Sequence, residues 1–161
     1  MMKAIDYVVL KLEEEGIEHQ VFYDENRINA VLETVVGKFT VEFFFGKNDY
    51  TFPHINVKIF DIPDGKFWAA NEGVCKINEQ LPNGHLYIEG KSVWYTCLIP
   101  LFTEEYMGDL CLYLMQNKIK TTIYGARAAL IEATSDRDCG DLSEIIQFLQ
   151  YVQKRRKERG E

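Results

Sequence analysis

Strict two-residue alternation over consecutive segments is the feature that most limits how this 161-residue chain can fold. In "INAVLETVV" the apolar Ile28, Ala30 and Leu32 fall on one side. Phe39, Val41, Phe43 and Phe45 do so in "KFTVEFFF", and Ile55, Val57 and Ile59 in "HINVKIFDI". Successive side chains of a strand point to opposite faces, so each segment predicts a strand with one apolar and one mixed face. Turn formers separate them: "DENR", Gly37, "GKNDYTFP" and "PDG". "HLYIE" and "SVWYTCLIP" add a hairpin around Gly90-Lys91, and "HQVFYDE" adds a short strand near Gln20–Asp24. Strands joined this closely pair antiparallel, because a parallel partner needs a crossover of about a dozen residues or more.

Elsewhere the period lengthens to that of a helix. Ile5, Val8, Val9 and Leu12 place a helix over residues 3–15, with Gly16 as its stop. Phe67, Ala70, Val74, Ile77 and Leu81 place another over 66–81, ended by Pro82-Asn83-Gly84. Thr103 is an expected N-cap for a helix over 104–132 that carries Met107, Leu110, Leu114, Ile123, Ala126 and Leu130. Thr121-Thr122 or Gly125 are its expected kink or break. A last helix spans 142–158, entered through a capping box of Asp141 and Glu144. The order α-β-β-β-β-α-β-β-α-α is α+β: a single-layer antiparallel sheet packed against helices. Residues 1–135 make the α+β body. Residues 136–161 add a C-terminal helix with a basic tail to the same domain.

Charge narrows the function classes. The chain carries a net −7, and its one basic cluster is the tail "KRRKER". Outside residues 154–161 the chain holds 13 basic and 23 acidic residues, a body that phosphate backbones repel. Nucleic acid is therefore not an expected partner, and the tail reads as a solvated helix end. The N-terminal apolar run is short and followed by Glu13-Glu14-Glu15, unlike a signal peptide, and no stretch reaches the roughly 18 apolar residues of a span. The expected location is the cytoplasm, with no membrane partner.

Motifs for chemistry are missing. Cys75, Cys97, Cys111 and Cys139 match no zinc or redox spacing, and the first three sit in apolar patterns that predict small buried hydrophobes. His19, His54 and His85 stand at separate strand entrances, whereas a zinc site needs converging ligands. Gly90-Lys91-Ser92 imitates the end of a P-loop but lies in a hairpin, not before a helix N-terminus. Glu42, mid-strand, reads as a half-exposed carboxylate rather than a catalytic one. No cofactor is expected.

What remains is the second face of the sheet: Asn29, Val31, Glu33, Val35, Thr40, Glu42, Phe44, Lys58, Phe60, Trp94, Thr96 and Leu98. It is polar yet studded with large apolar groups, the composition of a partner surface. Phe44, Phe60, Trp94, Leu98 and Glu42 are the candidate contacts. A second copy, a bound peptide or the C-terminal helix could cover them, and a free sheet edge could take a guest strand. The stretch "FWAANEGVCKINEQLPNGHLYIEGKSVWYTCLIPL" runs from a helix ending in Ile77-Asn78-Glu79-Gln80-Leu81 into a turn, a hairpin and a long helix. Over residues 3–132 this order resembles the YbjN-type family of sensory-transduction regulators, with a type III secretion chaperone-like fold. The helix over 142–158 departs from that pattern. The resemblance implies a small acidic interaction module, often dimeric, with no enzymatic residues to carry over. The expectation is thus a non-enzymatic, homodimeric, chaperone-like or regulatory adaptor. The alternative is a small-molecule sensor or enzyme with a pocket between sheet and helix, using Glu42, His54 and His85.

Overall fold

The structure, a computed structural model, describes residues 2–46, 52–100, 103–135 and 143–160, with side chains throughout except at 143–148. Its order is α1 (Ala4–Glu14), β1 (His19–Phe22), β2 (Arg27–Thr34), β3 (Gly37–Phe44), β4 (His54–Asp61), α2 (Phe67–Asn78), β5 (His85–Glu89), β6 (Ser92–Leu98), α3 (Met107–Tyr113), α4 (Lys120–Thr134) and α5 (Ser143–Glu158). All strand pairs are antiparallel, in the spatial order β1-β2-β3-β4-β6-β5. The α+β class, with a single sheet layer packed against helices, is as the alternation predicts.

The alternating apolar positions form the core. Ile28, Val41, Phe43, Ile55, Val57, Val93 and Tyr95 are fully buried on one face of the sheet. The helices complete that core with Ile5, Val8 and Leu12 of α1, Ala70 and Ile77 of α2, and Ile123, Ala126 and Leu130 of α4. Small residues let the helices come close. A Cβ at Gly108 in α3 would strike the Tyr7 carbonyl of α1, and one at Gly73 in α2 would crowd Ala133 and Leu130 of α4. Gly125 does not break its helix: the Leu149 side chain of α5 sits against it. The irregularity lies earlier, where Leu114–Ile119 widen into a π turn between α3 and α4.

Several boundaries differ from the sequence reading. The β2–β3 turn is Val35-Val36, two residues before the expected glycine, held by Thr34 Oγ1 to the Gly37 carbonyl at 2.7 Å. Thr103 makes no side-chain cap, and a 3-10 turn, Glu104–Tyr106, precedes α3. Phe67 does not join the core; it is exposed beside Trp68 at the start of α2. Cys75 is exposed, because it falls on the outer side of α2 next to buried Val74, whereas Cys97 and Cys111 are buried as expected. Burial pushes the Cys111 thiol up to about 12. The expected capping box at Asp141 and Glu144, and Cys139, lie outside the described residues or side chains. Among the described residues no helix is long and apolar enough to cross a membrane.

Asn78 closes one sheet edge. Its Nδ2 donates to the Leu86 carbonyl at 2.9 Å and its Oδ1 accepts from the Leu86 N–H at 2.7 Å. Leu86 lies on edge strand β5, and both groups point away from β6. They are the ones that a guest strand would seek, so the side chain blunts this edge. This is the structural work of the Asn in Ile77-Asn78-Glu79-Gln80-Leu81. Asn78→Ala is expected to lower unfolding free energy by about 1–3 kcal/mol, since it strands a part-buried donor and acceptor. Urea denaturation checks this, with Lys76→Ala as a surface control expected to stay within about 0.5 kcal/mol.

Candidate functional site

No described helix covers the second face of the sheet. The C-terminal helix packs elsewhere: Leu149 against Gly125, Gln150 Nε2 to Gln80 Oε1 at 2.6 Å, and Gln153 Nε2 to the Gln80 carbonyl at 2.8 Å. This places α5 on the helix layer and leaves the outward rows of the sheet open.

Strand register organises those rows. The central one crosses all six strands as Gln20, Asn29, Glu42, Asn56, Thr96 and His85, each opposite the next. Every member is polar. Beside it runs Phe22, Arg27, Phe44, His54 and Leu98. On the other side Lys58, Trp94 and Tyr87 stand in register. A hydrogen-bonding stripe is thus flanked by aromatic clusters.

The first cluster centres on Arg27. Its guanidinium lies 4.1 Å from the Phe22 ring centre and 5.8 Å from that of Phe44, and Phe44 stacks on His54 at 4.9 Å. Arg27 Nε donates to Glu25 at 2.8 Å and Nη1 to Asn29 at 2.9 Å. The aromatic faces and hydrogen bonds hold the cation flat against the sheet. In the second cluster Trp94 stacks on Tyr87 at 6.5 Å.

Glu42 is half-buried in the central row, with Arg27 Nη1 3.9 Å from its carboxylate. Burial nevertheless pushes its carboxyl above the usual range, outweighing the pull of Arg27 downward. A Glu whose folded value exceeds its unfolded one costs stability once it ionises. The cost is absent below the ordinary 4.5 and grows as pH rises through the folded value. Glu42→Gln is therefore expected to be more stable than the native chain at neutral pH, and to lose that advantage below about pH 4.5. Urea midpoints across pH check this.

The candidate contacts fall as follows. Phe44 and Trp94 are half-buried, and Leu98 is 65% exposed at the end of β6. Phe60 does not belong with them. A bulge between Lys58 and Phe60 carries it opposite core-facing Val93, and it is only 8% exposed. The three polar candidates do not converge. His54 and His85 line one open recess of about 660 Å³, whereas Glu42 lines a different cleft and His19 bonds the Ile17 carbonyl at 2.7 Å. Among the described residues no three His, Cys, Asp or Glu side chains group to hold a metal.

Arg27 and Tyr87 on the outward face and Arg127 in the cleft are residues that sequence reasoning missed. Extending the β2 alternation back from Asn29 reaches Arg27, and alternation in "HLYIE" reaches Tyr87. Nothing in a helical pattern marks Arg127. Compared with family models, with curated proteins and with solved structures, the chain matches none.

Proposed function

We propose that this chain is a non-enzymatic protein-interaction module that works as a homodimer through the outward face of its sheet, as a chaperone-like or regulatory adaptor. The observation that carries the reading is the open face itself: a polar row flanked by aromatic clusters, with α5 packed on the opposite layer.

Self-association is favoured by the chemistry of the central row. Gln20, Asn29, Asn56 and Thr96 each both donate and accept hydrogen bonds. Such a row can satisfy a copy of itself across a twofold axis, where residue i of one protomer meets j of the other and the reverse. The rows, six, five and three residues long on strands about 4.8 Å apart and with rows about 7 Å apart, frame on the order of 500 Å² of footprint. Accessible area on a pleated surface exceeds its footprint, and stable interfaces take about 800 Å² per partner. Phe44, Trp94 and Tyr87 supply the aromatic anchors such interfaces favour. The resemblance to the YbjN-type family points the same way.

Light scattering tests the reading. The native chain is expected to run at twice its monomer mass. Phe44→Ser and Trp94→Ser are each expected to shift it toward monomer, by about tenfold or more in dissociation constant. A native chain that is monomeric at every concentration, or variants that dimerise as the native chain does, would contradict it.

A further inference from the structure

Strands β3 and β4 pair from Phe44 opposite His54 as far as Val41 opposite Val57, and then part. Residues 37–40 remain paired with β2, while Lys58, Phe60 and Asp61 remain paired with β6. The parting coincides with the bulge between Lys58 and Phe60. Bulges bend a strand and re-aim its side chains, and they cluster beside binding sites. Here the gap opens a cleft of about 440 Å³, within the size range of small-ligand sites.

Arg127 reaches this cleft from α4 in the helix layer. Its Nη1 donates to the Ile59 carbonyl at 2.7 Å, and its guanidinium lies 5.5 Å from the Phe39 ring centre. Its Nε is buried with no hydrogen-bond partner. A buried charged donor left unpaired is costly, and a native structure that keeps one calls for a partner. A guanidinium is a planar fork of donors that matches carboxylate oxygens.

No acid among the described residues forms an ion pair with Arg127. Lys38 and Lys58 on the rim engage Glu33 at 3.3 Å and Asp61 at 3.6 Å, and Glu42 faces Arg27. The remaining walls are Trp94, Phe39, Phe60 and Val36, with Thr40 as the one further polar side chain. We propose that this cleft binds a small organic carboxylate with an apolar body, the carboxylate on the Arg127 guanidinium where it lines the cleft and the body against Trp94. This ligand site goes beyond the interaction module, because its anchor stands in the helix layer and not on the outward rows.

The probe is 3-phenylpropanoate, with 3-phenylpropan-1-ol as the uncharged molecule of the same body. Binding is read by Trp94 fluorescence in a Trp68→Phe background, since Trp68 is 78% exposed and lies outside the cleft. It is read independently by the Arg127 Nε–H resonance in nitrogen-15 NMR of the native chain. The acid is expected to saturate both signals, and the alcohol to bind about tenfold more weakly or worse, the loss of a charge-assisted hydrogen bond. Arg127→Lys keeps the charge, loses the fork and is expected to weaken the acid by a similar factor. The resonance needs no variant, so the test survives if Arg127→Lys does not fold. The titration is repeated on Phe44→Ser, which separates a cleft covered by a dimer from a cleft that binds nothing. No saturable response in either chain, equal binding of acid and alcohol, or an unmoved Arg127 resonance would overturn the site while leaving the light-scattering result intact.

Discussion

Ile28, Val41, Phe43, Ile55, Val57, Val93 and Tyr95 stand on one face of the sheet and are shut away from water by α1, α2, α3 and α4. Each such side chain contributes about 1.5–3 kcal/mol when fully buried, so this one-sided burial outweighs any other single contribution to stability here. It also dictates where the helices go. Gly108, Gly73 and Gly125 let them nest against one another on that side, and α5 follows onto α4. With every described helix on one layer, no described helix covers the opposite face of the sheet.

That face carries the consequences. Its central row is polar from edge to edge, and its aromatic residues stack in cross-strand pairs. Stacking lowers the exposure of Phe44 and Trp94 without covering them, and Arg27 spreads over two rings for the same reason. One strand pair gives way, where β3 and β4 separate at the bulge and Arg127 fills the floor of the gap from the helix layer. Edge strand β5 is capped at Leu86 by Asn78, which blunts that edge against strand addition.

Much of this was legible in the residues. Alternation identifies the strands because its period is two and its apolar set is unambiguous at Ile55, Val57 and Ile59. It fails at Phe60 because a bulge inserts one residue and reverses the faces beyond it, and no composition cue marks the insertion. Cys75 fails similarly: within an apolar stretch of a helix, one position in each turn still faces water. The Val35-Val36 turn was hidden because β-branched residues read as strand, and here Thr34 ties the turn from its side chain. Glu42, Phe44 and Trp94 could be placed on the outward face because they follow the period, and Arg127 could not be placed in the cleft because its position comes from the tertiary meeting of α4 with a split sheet.

The central claim is that the outward face is left open by this chain's own helices and closed by a second copy. Hydroxyl-radical footprinting of the two tryptophans tests it most directly, because Trp68 on α2 serves as an internal reference. The account predicts that Trp94 becomes more reactive relative to Trp68 as the protein is diluted, and that Phe44→Ser shows the high reactivity even when concentrated. A Trp94 reactivity that is the same at every concentration and in the Phe44→Ser chain would contradict it.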